Sequence, residues 1–132
     1  MPPRRFTPQE ANQALVELRP LVERMVAAKG ALDEAQERRD EAARKIAGNG
    51  GGIPPQELAA LQTRVERRAA VLAGVLSEID ELGVLVKDID TGLVDFPSLR
   101  DGEDVLLCWR LGEEAVAHWH SLDGGFAGRQ PL

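Results

Sequence analysis

The sequence predicts an α+β fold: a long antiparallel α-helical hairpin, coiled-coil-like, followed by a small antiparallel β-meander of about four strands. Three observations predict it. Apolar residues recur at steps of three and four through most of the first 82 positions. A glycine run, Gly48-Asn49-Gly50-Gly51-Gly52, interrupts that pattern near its middle. From Gly83 the period falls to two, with turn residues between short apolar runs.

The first helix has a defined start. Thr7-Pro8-Gln9-Glu10 is a capping box with proline at the first helical position. The seam that follows is Ala14, Leu18, Leu21, Met25, Ala28, Leu32, Ala35, Ala42 and Ile46, with Arg39 as its one interruption. Pro20 lies inside this pattern. It has no N–H and crowds the preceding turn, so a kink or a break is expected near it. The stretch 47–53 reads as a flexible turn, and Pro54-Pro55 opens a second helix. Its seam is Leu58, Leu61, Val65, Leu72, Val75, Ile79 and Leu82, with Arg68 in the missing position. Two matching seams joined by a short loop make an αα-hairpin. At its open end Leu15, Val16, Val22, Val26, Val71 and Leu76 add a second apolar stripe. A helix hides two faces only if it has two neighbours, so the open end is expected to pack on the β-module. The turn end is expected to project into solvent or to meet another subunit.

Strands are expected at 84–88, 93–96, 105–111 and 115–120, with turns at Asp90-Thr91-Gly92, 97–102 and Gly112-Glu113. The organisation is then a single domain over 1–132: hairpin 6–82, β-module 83–120, and a glycine-rich tail 121–132 anchored by Phe126 and Arg129.

Composition limits function. A hydrophobic share of 43% with 29% charged residues is that of a globular chain, not of a disordered one. The net charge of −6 argues against nucleic acid and against an anionic membrane surface as partners. No apolar run reaches the roughly 18 residues that a membrane span needs, and none follows Arg4-Arg5 as a secretory signal would require. Cys108 is the sole cysteine, which fits a reducing, cytoplasmic setting. Between Glu78 and Glu114 about eleven carboxylates face three basic side chains, an imbalance that attracts cations or a basic partner.

The run from Gly83 to Pro97, Gly83-Val84-Leu85-Val86-Lys87-Asp88-Ile89-Asp90-Thr91-Gly92-Leu93-Val94-Asp95-Phe96-Pro97, resembles the signature stretch of an uncharacterised bacterial domain-of-unknown-function family, family 2203. So do Leu107-Cys108-Trp109-Arg110-Leu111-Gly112-Glu113, Trp119-His120 and Gly124-Gly125-Phe126-Ala127-Gly128-Arg129. Phe6-Thr7, Glu10-Ala11-Asn12 and Leu18-Arg19-Pro20 are similar too. The resemblance implies no activity and carries over no catalytic residue.

Several groupings could carry chemistry. Asp88-Ile89-Asp90-Thr91-Gly92 is similar to the nucleophile motif of haloacid-dehalogenase-like phosphatases, but that motif needs threonine or valine where Gly92 stands. It also fails as a calcium loop, because the glycine comes one position early. A β-turn is the plainer account. His118-Trp119-His120 on a strand points both imidazoles to one face, about 7 Å apart at Cβ, which suits one chelated metal. Cys108, Glu113, Asp88, Asp90 and Asp95 are the further candidate ligands, with zinc, iron or manganese as the divalent ion. A two-residue Gly112-Glu113 turn would set His118 opposite Leu107, and a three-residue turn would set it opposite Cys108. Both registers are open, and so is the alternative of two half-exposed surface histidines. Trp109 and Trp119 either cap the core against the helices or, with Arg129, line a small-ligand pocket.

Two functional classes follow. One is an oligomeric scaffold or interaction protein, a homodimer favoured, with another protein as a further partner. The other is a metal- or small-ligand-binding module whose site lies on the β-module, in the manner of a metal-dependent hydrolase. The nucleophile, base and oxyanion hole of a hydrolase cannot be assembled from the sequence, so enzymatic activity is left open.

Overall fold

The computed structural model describes residues 4–49 and 52–132. Two long helices precede a five-stranded antiparallel sheet. The elements are α1 (Pro8–Asn49), α2 (Pro55–Glu81), β1 (Leu85–Asp88), β2 (Leu93–Arg100), β3 (Glu103–Arg110), β4 (His118–Ser121) and β5 (Gln130–Pro131), with a single 3-10 turn at Phe126–Gly128. Helix α1 extends through Gly48, further than the sequence pattern suggested, and Gly50 and Gly51 of the expected turn lie outside the described residues. The chain forms two compact units. One comprises the chain up to Val26 together with Val75–Leu132, and the other is Ala27–Gly74.

The first unit begins at the capping box. The Thr7 N–H donates to Glu10 Oε1 at 2.9 Å, and the Glu10 N–H donates to Thr7 Oγ1 at 3.1 Å. Helix α1 runs through Pro20 without a break. Pro20 and Val16 both lie on its exposed side, where water can bond the carbonyl that the proline leaves without a donor.

The sheet is a simple meander, β1-β2-β3-β4-β5. Its inner face carries Val94, Phe96, Val105, Leu107 and Trp109, all buried. The first turns of α1 and the last of α2 bury Ala11, Leu15, Leu18, Val22, Met25, Val75 and Ile79. Phe6 meets Phe96 edge to face at 5.2 Å, and the Arg19 guanidinium stands 5.3 Å from the centre of the Trp109 ring. Of the second apolar stripe, Leu15 and Val22 are buried in this unit, whereas Val16 and Val71 are exposed, so only part of the stripe is covered. Each large side chain so buried contributes about 1.5–3 kcal/mol.

Three expectations about the sheet need correction. There are five strands, because Gln130–Pro131 of the tail returns to pair with β4. Strand β2 continues to Arg100, so 97–102 is not a turn; the turn is Asp101-Gly102 alone, both at positive φ (52° and 81°). Pro97 is tolerated because β1 pairs only with residues 93–95. Beyond them that edge of β2 is open, no ladder N–H is needed, and the Pro97 carbonyl accepts from the Phe6 N–H at 2.7 Å. Lastly, β3 and β4 are joined by residues 111–117 and not by a tight Gly112-Glu113 turn. Side chains of α1 hold this connection. Asn12 donates to the Val116 carbonyl at 3.1 Å and accepts from the Val116 N–H at 2.8 Å, and Arg19 donates to the carbonyls of Glu113 and Glu114. With its backbone groups bonded there, the segment has no need to extend the ladder.

The second unit is a helical hairpin with a thin seam: Leu32, Ala35, Ala42, Val65 and Leu72 are its buried apolar residues. Arg68, in the gap of the seam, donates to the Ala31 carbonyl at 2.9 Å. Arg39 reaches Gln62 at 3.3 Å and Asp40 at 2.9 Å. These cross-helix pairs, 31 with 68 and 39 with 62, fix the antiparallel alignment. Exposed ion pairs such as Lys29–Asp33 and Arg38–Glu34 add a few tenths of a kcal/mol each. Among the described residues, no helix is long and apolar enough to cross a membrane.

Candidate metal centre

The two faces of the sheet carry different chemistry. Register decides which side chains share the outer face. Asp95 lies opposite Cys108, Cys108 opposite His118, and Leu106 opposite His120. Because residues two apart point the same way, Asp95, Cys108, His118 and His120 all belong to this face, turned away from the helices.

Three of them converge. One ligand atom each from Asp95, Cys108 and His120 lie within 4.8 Å of one another, and all three residues are buried. His120 is held at both ring nitrogens. Its Nδ1 is 2.7 Å from the Ser121 carbonyl oxygen, and its Nε2 is 3.1 and 3.2 Å from the two Asp95 carboxylate oxygens. A carbonyl oxygen only accepts, so Nδ1 carries the proton. A neutral imidazole has no second N–H. Nε2 then presents a lone pair to a carboxylate, an arrangement that needs a positive charge, a proton or a metal ion, at that point.

Burial pushes the Cys108 thiol up from its ordinary 9.0 to about 11. The negative charge of Asp95 adds to the shift, while Arg129 opposes it. Such a thiol is protonated at neutral pH and is a poor nucleophile unless a cation displaces its proton. Nor is there a Cys-His-Asp relay. His120 gives Nδ1 to the Ser121 carbonyl and Nε2 to Asp95, which leaves no ring nitrogen to pair with the thiol, as a relay requires.

The other candidate residues are placed as follows. His118 faces Cys108 across the ladder, but its Nδ1 accepts from Arg129 Nη2 at 2.8 Å. The two imidazoles thus share a face without sharing a partner. Glu113 is bound to Arg129, 2.8 and 3.0 Å from the same Nη2, and its Oε1 accepts from the Arg110 N–H at 2.7 Å. Asp88 accepts from the Thr91 N–H and hydroxyl in a local turn, and Asp90 is exposed in that turn. Trp109 is fully buried on the inner face and donates Nε1–H to the Glu113 carbonyl at 3.0 Å. Trp119, opposite Leu107, is on the inner face too, under the Arg100 guanidinium. Arg129 lies with His118 on the outer face, so the sheet separates it from both tryptophans.

The tail covers the cluster. Arg129 ties it to Glu113 and His118, and Phe126 sits 4.9 Å from the Arg110 and 4.6 Å from the Arg129 guanidinium. Between tail and sheet lies a pocket of about 200 Å³. Asp95, Cys108 and His120 form one wall, and Lys87, Leu122, Asp123 and Phe126 are among the others. Lys87 is the extra residue of a bulge between Val86 and Asp88, which turns it to this pocket. No sequence pattern marks Lys87, Leu122 or Asp123 for this site. Their one signal was proximity to strand ends, and their convergence depends on how the tail folds back.

These features define an α+β protein with a buried Asp–Cys–His cluster on the outer face of a β-meander. The chain belongs to the family of uncharacterized conserved proteins DUF2203, whose model matches residues 4–132. No curated protein and no solved structure matches it.

Proposed function

We propose that the protein binds a divalent transition metal, zinc above all, through Asp95 carboxylate, Cys108 Sγ and His120 Nε2. The observation that carries this reading is His120: its Nδ1–H is committed to a backbone carbonyl, and its Nε2 lone pair is aimed at the Asp95 carboxylate, with Cys108 in the same three-residue cluster. A metal-ligating histidine is oriented in this way by its second nitrogen. One nitrogen, one sulfur and one oxygen suit zinc, and iron next; a thiolate makes manganese the poorest of the three. With thiolate and carboxylate both ionised, a divalent ion leaves the cluster neutral. Binding releases the Cys108 proton, so affinity rises with pH. Thiolate ligation also requires a reducing compartment, in keeping with a cytoplasmic protein.

Metal content by plasma mass spectrometry tests the reading. Near-stoichiometric zinc is expected in the native chain and in His118→Ala, and loss of it in Cys108→Ala and His120→Ala, with circular dichroism reporting that each variant is folded. Absence of metal from the native chain after zinc reconstitution would sink the proposal.

Self-association is the second reading. Val16 is 84% exposed, beside an open groove lined by Leu15, Arg19 and Pro20. Val16 and the exposed Pro20 line the same groove, an apolar spot that a second copy of the chain would cover. Light scattering on Val16→Glu checks it: a dimer in the native chain that the variant dissociates supports the reading, and a monomer at high concentration rules it out.

A further inference from the structure

Three protein ligands leave a divalent zinc one coordination position short of four, and sites of that kind exchange a water or a ligand there. In this chain the cluster forms one wall of the pocket under the tail, so the open position faces that space. Resting on the metal reading above, we infer that the pocket takes a small monoanionic carboxylate with a short aliphatic body, bound head-first to the metal.

Each part of the pocket supports a different feature of that ligand. Leu93, Leu106, Leu122 and Phe126 make its remaining walls mostly apolar, which suits a hydrocarbon body. About 200 Å³ lies below the range for drug-sized ligands, which limits the body to a few carbons. Lys87 lines the pocket and pairs with no carboxylate among the described residues, so its ammonium is available to an anionic head. Asp123 adds one negative charge to the same wall. It lies outside the three-residue cluster. Its charge disfavours a dianion such as phosphate and a head with two carboxylates. A rim leucine, Leu122, is 59% exposed, which leaves the far end of an aliphatic body a way to the outside.

Cobalt substitution of the full chain separates this inference from the reading beneath it. Cobalt(II) in the cluster gives visible d–d bands and a near-ultraviolet thiolate-to-cobalt charge-transfer band that Cys108→Ala abolishes. Butyrate titrated into the cobalt protein is expected to shift the d–d bands saturably and to leave the charge-transfer band in place. Lys87→Ala and Leu122→Glu, both at exposed positions, should each weaken butyrate about tenfold while leaving the butyrate-free spectrum unchanged. Inorganic phosphate and butylammonium should produce no shift. Cobalt bound with its charge-transfer band, but d–d bands indifferent to butyrate, overturns the inference and leaves the metal reading standing. A shift by phosphate at lower concentration than by butyrate overturns the carboxylate assignment. Failure of cobalt to bind at all overturns both.

Discussion

The helical hairpin of Ala27–Gly74 and the unit built on the sheet use the same kind of helix to different ends. In Ala27–Gly74 two helices bury a seam whose first-helix contribution is Leu32, Ala35 and Ala42, two of them alanines, and the gap in its partner strip is filled by an arginine bonded to a backbone carbonyl. In the other unit the helix ends meet a sheet face bearing Phe96, Leu107 and Trp109. Buried apolar area sets most of the stabilisation, and large side chains carry far more of it than alanine does. The contrast teaches that a regular heptad pattern fixes alignment without supplying much energy. Rigidity, and with it the ability to hold three ligand atoms within 4.8 Å, comes from the layer of large residues beneath the sheet.

The comparison can be broken by substitutions of one type made in both units. Phe96→Ala should cost about 3–5 kcal/mol and Leu72→Ala nearer 2 kcal/mol, read from urea midpoints. Equal losses would show that the seam is as well packed as the sheet face. Gly92→Ala should cost at least about 2 kcal/mol, because φ is +71° and the new Cβ would stand 2.8 Å from Leu111 Cβ and 2.9 Å from Val22 Cγ1. The same change at Gly74, in open space on a helix, should stabilise by about 0.5–1 kcal/mol. One substitution with opposite signs in the two units is a strict test of the contrast, and thermal melts read both.

Amide exchange sharpens it further. Amides within 27–74 should exchange ahead of those of β2 and β3, since a thin seam opens at lower free energy than a packed core. The smallest effect concerns pH and the metal-free protein. The Cys108 thiol is raised in the folded chain, so the neutral thiol contributes stability below the unfolded-state value near 9.0, and that contribution is lost as pH rises toward about 11. Melting temperatures should fall across that window in the native chain and stay flatter in Cys108→Ala. Zinc-loaded protein should lack the fall, because its cysteine has already given up the proton.

Part of the candidate site was legible in advance. Asp95, Cys108 and His120 were each in the set of candidate ligands, and a carboxylate inside the apolar run Leu93-Val94-Asp95-Phe96 is a visible signal. The pair that looked strongest, His118 with His120, shares a face but not a partner, because Arg129 from the tail takes His118. Asp101-Gly102 was the missed clue. Asp-Gly is a preferred two-residue hairpin turn, and counting outward from it sets Asp95 opposite Cys108. Reading 97–102 as one turn, on account of Pro97, hid that register.

Whatever adjacent residues can settle was already readable in the chain. The capping box at Thr7 and Glu10, the heptad seams, the stop at Gly83 and the change of period from helix to strand all rest on interactions within a few positions of one another. The rest depends on contacts between distant segments. Asn12 and Arg19 hold a loop about a hundred residues away in sequence. Phe6 satisfies the open edge that makes Pro97 acceptable in a strand, and the tail returns as β5 to close a pocket over the cluster. These contacts join segments far apart in the chain, and which of them form depends on register and on total buried area, quantities that no local pattern contains.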